Sequence, residues 1–207
     1  YVKIDNKPVL MLFKSNFQEK NEMLDYFDER CREKGFNGIC IIETLSSYKN
    51  SEIDKFKKDI NSHTDYIHIR EPDASIIHYR ETFLHILFRI YNKIRKQIRV
   101  FGLSYVEKYS GDKLFKNMIS RKFQSKKFIR GLFFEWDNTP RHSYRGYIIT
   151  PPTKELFFKY MNSIKDDDFL FINAWNEWCE GMILEPTVEN EYKYLEWIKE
   201  WSEKCEK

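Results

Sequence analysis

The sequence predicts an α/β protein built around a parallel sheet. Short apolar runs of strand length recur along the 207 residues, and stretches with helical spacing of apolar side chains separate them. Two of these runs also end in clusters of tryptophan, asparagine and acidic residues. Alternating strands and helices form either a doubly wound sheet or part of a (β/α) barrel. In both architectures functional side chains follow the carboxyl ends of the strands.

The N-terminal segment predicts a strand, a helix and a second strand. The apolar run at 7–13 is typical of a strand buried on both faces. A helix should follow, because apolar side chains recur at helical spacing and Gly35 suits its end. These apolar positions are Met23, Leu24, Phe27 and Cys31. A second run at 37–44 completes a strand–helix–strand unit, which implies a parallel pair.

The middle of the chain predicts one more strand and a helical insertion. The stretch "TDYIHIRE" alternates as a strand does, whereas 79–98 is strongly helical. Phe83, Leu87, Ile90 and Ile94 share one stripe of that helix. A second helix is expected from about 104 to 122. Two helices exceed a single crossover, so we expect them to pack outside the sheet with their basic side chains in solvent.

The C-terminal part returns to simple alternation. "KFIRGLFFEW" and "FLFINAW" predict strands. A helix from Thr153 lies between them, and "NEYKYLEWIKEWSEKC" predicts a closing helix. The whole chain, 1–207, is expected to form a single domain.

Composition excludes several classes of function. The net charge of +3, from 35 basic and 32 acidic residues, is too small to predict a nucleic-acid partner. The basic stretch at 89–130 is interpreted as solvated helix faces. No apolar run is long enough for a membrane span, and 1–13 lacks the features of a signal peptide. Four distant cysteines without a C-x-x-C pair favour a reducing, cytoplasmic compartment without a zinc site or disulfides.

The segment "WNEWCEG" carries two glutamates three residues apart, Glu177 and Glu180, directly after a predicted strand. They can share a site only if the chain turns between them, and Gly181 favours such a turn. In a pair of this kind one carboxyl stays protonated while its neighbour is ionised. Paired acids with these properties cleave or form glycosidic bonds.

The residues around this pair are suited to sugar binding. Indole faces pack on pyranose rings, and amide, acid and guanidinium groups bond sugar hydroxyls. The predicted substrate-binding residues are Trp136, Asp137, Asn138, Arg141, Trp175, Asn176 and Trp178. If the two strands are adjacent, about 4.8 Å apart, both clusters face one cleft. The simpler interpretation is that the tryptophans cover the core and the glutamates are solvated loop charges.

Three segments resemble a known family. "WNEWCEGMILEP" resembles the W-N-E-W-x-E-G-x-x-L-E-P signature of WbsX-type glycosyltransferases, which are grouped with glycoside hydrolase family 99-like domains. "WDNTPR" resembles their second signature, and "YVKIDNKPVLMLF" resembles the strand that opens their C-terminal half. The resemblance implies a TIM-type (β/α) barrel, here its C-terminal half, with a glycan substrate and a role in polysaccharide or O-antigen biosynthesis. The N-terminal half of the same barrel is then an expected partner.

The resemblance also implies roles for the two glutamates. Glu177 would remove the proton of the sugar 2-hydroxyl, giving a 1,2-anhydro intermediate on an α-mannoside-like sugar. Glu180 would protonate the leaving oxygen. No metal and no cofactor are expected.

Two other functions compete with this one. A metal-dependent nucleotide-sugar transferase would use Asp166, Asp167 and Asp168 as a D-x-D motif, but these aspartates precede their strand and suit a polar loop. A non-catalytic carbohydrate-binding or assembly module would keep the aromatic platform without turnover. His142, beside "WDNTPR", is the histidine expected closest to the site.

Overall fold

A computed structural model of the chain describes residues 1–14, 17–45, 63–80, 86–87, 89–91, 93–94, 106–121, 127–143 and 146–205. The described strands are β1 Lys3–Ile4, β2 Lys7–Leu12, β3 Cys40–Leu45, β4 Tyr66–Ile69, β5 Glu107–Tyr109, β6 Phe128–Leu132, β7 Trp136–Asp137, β8 Tyr147–Ile149, β9 Leu170–Ile172, β10 Asn176–Glu177 and β11 Met182–Ile183. The described helices are α1 Lys20–Glu33, α2 Asp73–Arg80, α3 Gly111–Ser120, α4 Thr139–His142, α5 Lys154–Ser163 and α6 Lys193–Cys205.

The main sheet has the order β1-β2-β3-β4-β6-β9. Every pair from β2 to β9 is parallel, and β1 is antiparallel to β2 at one edge. The sheet is curled as in half of a barrel, and the parallel strands predicted from the apolar runs are confirmed. The alternating stretch "TDYIHIRE" is indeed a strand, β4, and it lies between β3 and β6.

A second, three-stranded sheet has the order β5-β8-β7. It corrects two predictions. The strand expected to run through Trp136 ends at Leu132, and Trp136 instead pairs with Ile149 in the small sheet. The helix expected from about 104 begins only at Gly111, because the residues before it form β5 and pair with β8. Gly111 itself packs directly on the chain after β8. A Cβ there would lie 2.1 Å from the carbonyl oxygen of Thr150.

The hydrophobic core lies between the main sheet and α3, α5 and α6, and it is rich in aromatic rings. The ring centroids of Phe115 and Phe133 are 5.4 Å apart, and those of Phe134 and Tyr194 are 4.3 Å apart. Tyr160 is fully buried and donates its hydroxyl hydrogen to the carbonyl oxygen of Gly131 at 2.6 Å. Aromatic pairs of this kind contribute about 0.5–1.5 kcal/mol each beyond their buried area.

A buried ion pair joins α3 to the segment that follows β4. Arg121 contacts Glu71, and their side chains are 5% and 2% exposed. Arg121 also donates to Ser75 Oγ at 2.7 Å and to Asn117 Oδ1 at 2.6 Å. The carbonyl oxygen of Glu71 accepts a hydrogen bond from the side chain of Asn173 at 3.2 Å. The ends of β4 and β9 are therefore fixed relative to α2 and α3.

The insertion differs in one respect from the sequence prediction. The described residues between 86 and 94 are helical, and Arg89 and Lys93 are exposed as predicted. The apolar stripe does not face the core, however, because Leu87, Ile90 and Ile94 are also exposed. Beside α2, the core is filled from β5 and α3 instead. The fourth residue of that stripe, at position 83, lies outside the described residues.

Candidate active site

A hairpin follows β9 at the carboxyl edge of the main sheet. The N–H of Asn173 donates to the carbonyl oxygen of Leu132 at 2.8 Å, which ties the end of β9 to β6. The chain then enters the antiparallel pair β10–β11, whose tip is a 3-10 turn over Trp178–Glu180. Gly181 ends this turn in the left-handed region with φ +57. The turn predicted between Glu177 and Glu180 is therefore confirmed.

The carboxylate of Glu180 connects the two predicted clusters. Trp136 donates its indole N–H to Glu180 Oε2 at 3.0 Å, and Arg141 donates to Glu180 Oε1. A Cβ on Gly181 would lie 3.4 Å from the Cβ of Asp137, so the hairpin packs directly on β7. Residues about forty positions apart in sequence thus meet at one carboxylate.

Glu177 has different surroundings. It lies on β10 opposite Met182, and its side chain is exposed. Within the described part of the chain it makes no side-chain hydrogen bond or ion pair. The two glutamates thus share one hairpin, but Glu180 is held by neighbouring side chains whereas Glu177 faces solvent.

Asp137 and Asn138 fix the start of the short helix α4, which carries Arg141. Asp137 Oδ1 accepts hydrogen bonds from the N–H of Thr139 at 2.9 Å and from its hydroxyl at 2.6 Å, which fixes the start of α4. Asn138 is buried, and its Oδ1 accepts from the N–H of Tyr147 at 2.8 Å. These two oxygens therefore already accept hydrogen bonds from within the protein. Direct contact of either side chain with a sugar stays a prediction.

The aromatic residues divide into exposed and supporting members. Trp175 and Trp178 are 53% and 60% exposed, so their faces are open to a ligand. Trp136 is half-buried and packs edge-on against Tyr147, with ring centroids 4.9 Å apart. Asn176 donates to Glu185 Oε2 at 3.3 Å. The open apolar surface of the site therefore belongs to Trp175 and Trp178.

Sequence reasoning missed a second charged group next to Glu180. Asp73, the first residue of α2, forms an ion pair with Arg70. Burial raises the pKa of Asp73, the Arg70 charge opposes that rise, and the Glu180 carboxylate adds to it. The like charges of Asp73 and Glu180 therefore act on each other at this edge of the sheet. The guanidinium of Arg70 also lies 4.5 Å from the centre of the Phe13 ring.

Tyr147 and Arg80 complete this charged group. Burial raises the pKa of the Tyr147 hydroxyl, and the Asp73 charge raises it further. Arg80 lies 5.4 Å from the centre of the Tyr147 ring and donates to the Tyr109 hydroxyl at 2.8 Å. The polar letters R-E-P-D directly after β4 were the signal that could have placed Asp73 at the same edge as the other clusters.

The rival aspartate motif lies elsewhere. Asp167 pairs with Arg130 at 3.0 Å, before the start of β9 and thus at the opposite end of the strands from the hairpin. Within the described ranges, no three His, Cys, Asp or Glu side chains are grouped so that they could hold a metal ion. A cavity of about 490 Å³ lined by Asp28, Ile41 and Asp65 also lies at that end and contains none of the predicted site residues.

The fold matches that of a solved protein described as a glycoside hydrolase-like protein, with a TM-score of 0.59 at 14% sequence identity. The match covers 97% of this chain and 55% of the other. At this identity the likeness defines the class of fold, a curled parallel α/β sheet with the acidic and aromatic cluster at its carboxyl edge. The chain belongs to the family described as Glycosyltransferase WbsX, which matches residues 1–198. This confirms the family resemblance of the sequence.

Two relatives from strains of Xanthomonas campestris pv. campestris are each named Uncharacterized protein WxcX. They are 31% identical to this chain over 102 residues, which is 42% of this chain and 15% of each relative. The chain thus spans about half of its structural neighbour and a smaller part of these relatives. Among the described helices, none is long and apolar enough to cross a membrane.

Proposed function

We propose that this chain carries the acid–base pair of an enzyme that makes or breaks glycosidic bonds in polysaccharide metabolism, with Glu177 as base and Glu180 as acid. The observation that carries the proposal is the fixation of Glu180 by Trp136 and Arg141 at the carboxyl edge of the parallel sheet. General acid catalysis needs a carboxyl in a fixed position, because the proton must reach a defined oxygen. The Arg141 charge favours the ionised form of Glu180, so Glu180 carries its proton only after a sugar oxygen has displaced Arg141 from Oε1. Family membership and the glycoside hydrolase-like fold support the substrate class.

In the proposed reaction Glu177 takes the proton of the sugar 2-hydroxyl, and that oxygen attacks C1 as the bond from C1 to the leaving oxygen breaks. Glu180 protonates the leaving oxygen in the same step. Water or a second sugar hydroxyl then opens the 1,2-anhydro ring at C1, giving its proton to Glu180 while Glu177 returns its proton to O2. Hydrolysis and transfer differ only in the group that occupies the acceptor position.

The hairpin geometry supports this division of work. Glu177 is exposed on β10 and can meet a hydroxyl of a sugar resting on Trp175 or Trp178. A sugar oxygen that approaches Glu180 competes with Arg141, whose side chain is 56% exposed and can move toward solvent. The proposed substrate is therefore an oligosaccharide or glycan that stacks on the two tryptophans and inserts its glycosidic oxygen beside Glu180.

We further propose that a second half of the barrel completes the site. Within the described residues the curled sheet has five parallel strands, whereas a TIM barrel needs eight. The open surroundings of Glu177 are consistent with walls supplied by the missing strands. The four free cysteines fit the reducing environment of the cytoplasm as the place of action.

The test is turnover by the natural polypeptide that contains this chain, assayed on α-linked oligosaccharides with and without a nucleotide-sugar donor. Glu177→Gln and Glu180→Gln should each lower turnover at least about a hundredfold, since each removes one proton-transfer group. Glu189→Gln is the matched control, because Glu189 is exposed on the chain after the hairpin. Sugar binding without turnover, unchanged in the double variant, would make the chain a carbohydrate-binding module instead.

A further inference from the structure

A short helical segment after α2 exposes apolar side chains to solvent. The described residues of this segment are 86, 87, 89–91, 93 and 94, and all seven are both helical and exposed. Five of the seven are large and apolar, with 43–59% of their surface accessible. These five are Ile86, Leu87, Ile90, Tyr91 and Ile94. Contiguous apolar surface of this kind marks an interaction site rather than ordinary solvent-facing helix.

The remaining two residues of the segment, Arg89 and Lys93, give this surface its charge. At about 100° per residue, the five apolar side chains fall within an arc of about 140° on the helix. Arg89 and Lys93 lie within about 60° of one border of that arc. The sequence from 82 to 99 contains five basic residues and no acidic residue. An apolar face flanked by basic side chains is typical of helices that lie in a membrane interface.

We propose that the segment 86–94 docks this protein on the surface of an anionic phospholipid bilayer. The apolar face inserts at the boundary between headgroups and acyl chains, and Arg89 and Lys93 contact lipid phosphates. An anionic leaflet matches both the apolar face and the basic side chains of the helix, because its apolar layer lies directly beneath a layer of negative charge. The proposal is independent of the glycosidic chemistry of the hairpin.

Charge argues against the other occupants. A two-fold contact between two copies would bring Arg89 and Lys93 of both chains together, with no acidic residue from 82 to 99 to offset them. A nucleic acid would satisfy the basic residues but leave five apolar side chains in water. Another segment of the same polypeptide would need both an apolar and an acidic face.

The test is co-sedimentation of the natural polypeptide that contains this chain with vesicles of phosphatidylcholine alone or mixed with phosphatidylglycerol, at low and at high salt, with a sample without vesicles as the blank. Binding is expected only to the mixed vesicles and should weaken as salt rises. Arg89→Gln with Lys93→Gln should weaken binding about twenty-five-fold, on the order of fivefold per charge. Lys113→Gln with Lys116→Gln is the matched control, since both lysines are exposed on α3 and three residues apart. Leu87→Gln with Ile90→Gln should abolish binding, while Val188→Gln, at a 94% exposed position, should not affect it.

Specific outcomes overturn the proposal. The first is that the unmodified protein does not bind vesicles, and the second is that it binds neutral vesicles as strongly as anionic ones. The third is that the variant without Arg89 and Lys93 binds as strongly as its lysine control. A dimer in light scattering that Leu87→Gln with Ile90→Gln dissociates would identify a second copy as the partner. A second measurement uses Ile90→Cys in the natural polypeptide, with Cys179 and Cys205 replaced by Ser. The rate at which this thiol reacts with a maleimide should fall when anionic vesicles are added. Low reactivity that vesicles do not change would show that another part of the polypeptide covers this face.

Discussion

Two arginine–glutamate pairs of the same chemistry have opposite surroundings. Arg121 and Glu71 are 5% and 2% exposed, whereas Arg141 and Glu180 are 56% and 18% exposed. The first arginine also bonds Ser75 and Asn117, so the pair belongs to a buried network. The inner pair therefore holds secondary structure elements together, whereas the rim pair leaves Arg141 in contact with water.

The largest expected effect comes from a substitution that breaks the inner pair. Arg121→Met leaves the Glu71 carboxylate buried without its counter-charge, and removing one partner of a buried pair costs about 3–5 kcal/mol. Urea unfolding followed by circular dichroism should show this loss in the free energy of unfolding. The rim variant Arg141→Met should change that free energy by no more than about 0.5 kcal/mol, because its ion pair is half exposed.

A double variant sharpens the same comparison. Glu71→Leu with Arg121→Met removes both charges, and a pair replaced by apolar side chains of similar volume is often neutral in stability. We expect it to recover most of the loss seen in Arg121→Met. If both variants unfold alike, the Glu71 charge is not what destabilises the single variant, and the inner pair has no special role.

The second effect concerns a buried histidine on the strand that leads to Glu71. Burial lowers the pKa of His68 to about 4, with the Arg70 charge as a further cause, against about 6.5 in the unfolded chain. The unfolded state therefore binds more protons between these values. The contribution of neutral His68 to the free energy of unfolding should be fully present above about pH 6.5. The free energy of unfolding should then fall by about 3 kcal/mol as the pH drops to about 4.

Replacement of the histidine isolates this contribution. His68→Phe keeps a ring beside Phe171, whose centroid is 4.8 Å from that of His68. The slope of stability against pH between about 4 and 6.5 should flatten in this variant. His142→Gln removes an exposed histidine and serves as the control for the loss of one imidazole. A slope that His68→Phe leaves unchanged would assign the acid sensitivity to other groups.

The smallest expected effect changes the rim pair without unfolding the protein. Arg141→Gln removes the charge that stabilises the Glu180 carboxylate once its proton has passed to the leaving oxygen. We expect turnover of the natural polypeptide to fall about tenfold, because one charge-assisted hydrogen bond is worth roughly 1.5 kcal/mol or more. The pH profile of turnover should also shift, which a purely structural role would not cause. Unchanged turnover and pH profile would separate Arg141 from the proposed chemistry.

The strands of the main sheet were predictable because their cores are continuous apolar runs bounded by polar residues. Cys40–Leu45 is the strongest case, since every residue but Thr44 is buried. The small sheet was not predictable, because β5, β7 and β8 have only two or three residues and carry no periodicity of their own. Their pairing depends on long-range contacts, such as that of Gly111 against the chain after β8.

The hairpin of the candidate site could be predicted from the sequence, whereas the charged side chains that surround it could not. Glu177, Glu180 and Gly181 form a local pattern, so the turn could be inferred from spacing alone. Asp73 lies about a hundred residues earlier, and its approach to Glu180 depends on β4, β6 and β9 being neighbours in that order. No single-sequence pattern encodes that order, because parallel neighbours are joined by long crossovers.

The edges of the curled sheet influence how the protein must be made. Within the described residues β9 has no neighbour on its outer side, and the N-terminal residues cover β2 only as far as Val9, whose N–H donates to the carbonyl oxygen of Val2. A bare strand edge accepts any extended peptide that reaches it, whether the intended one or a copy of itself. Folding then competes with edge-to-edge association, which becomes faster as the protein concentration rises. Dilute expression should therefore give soluble protein where crowded synthesis gives aggregates.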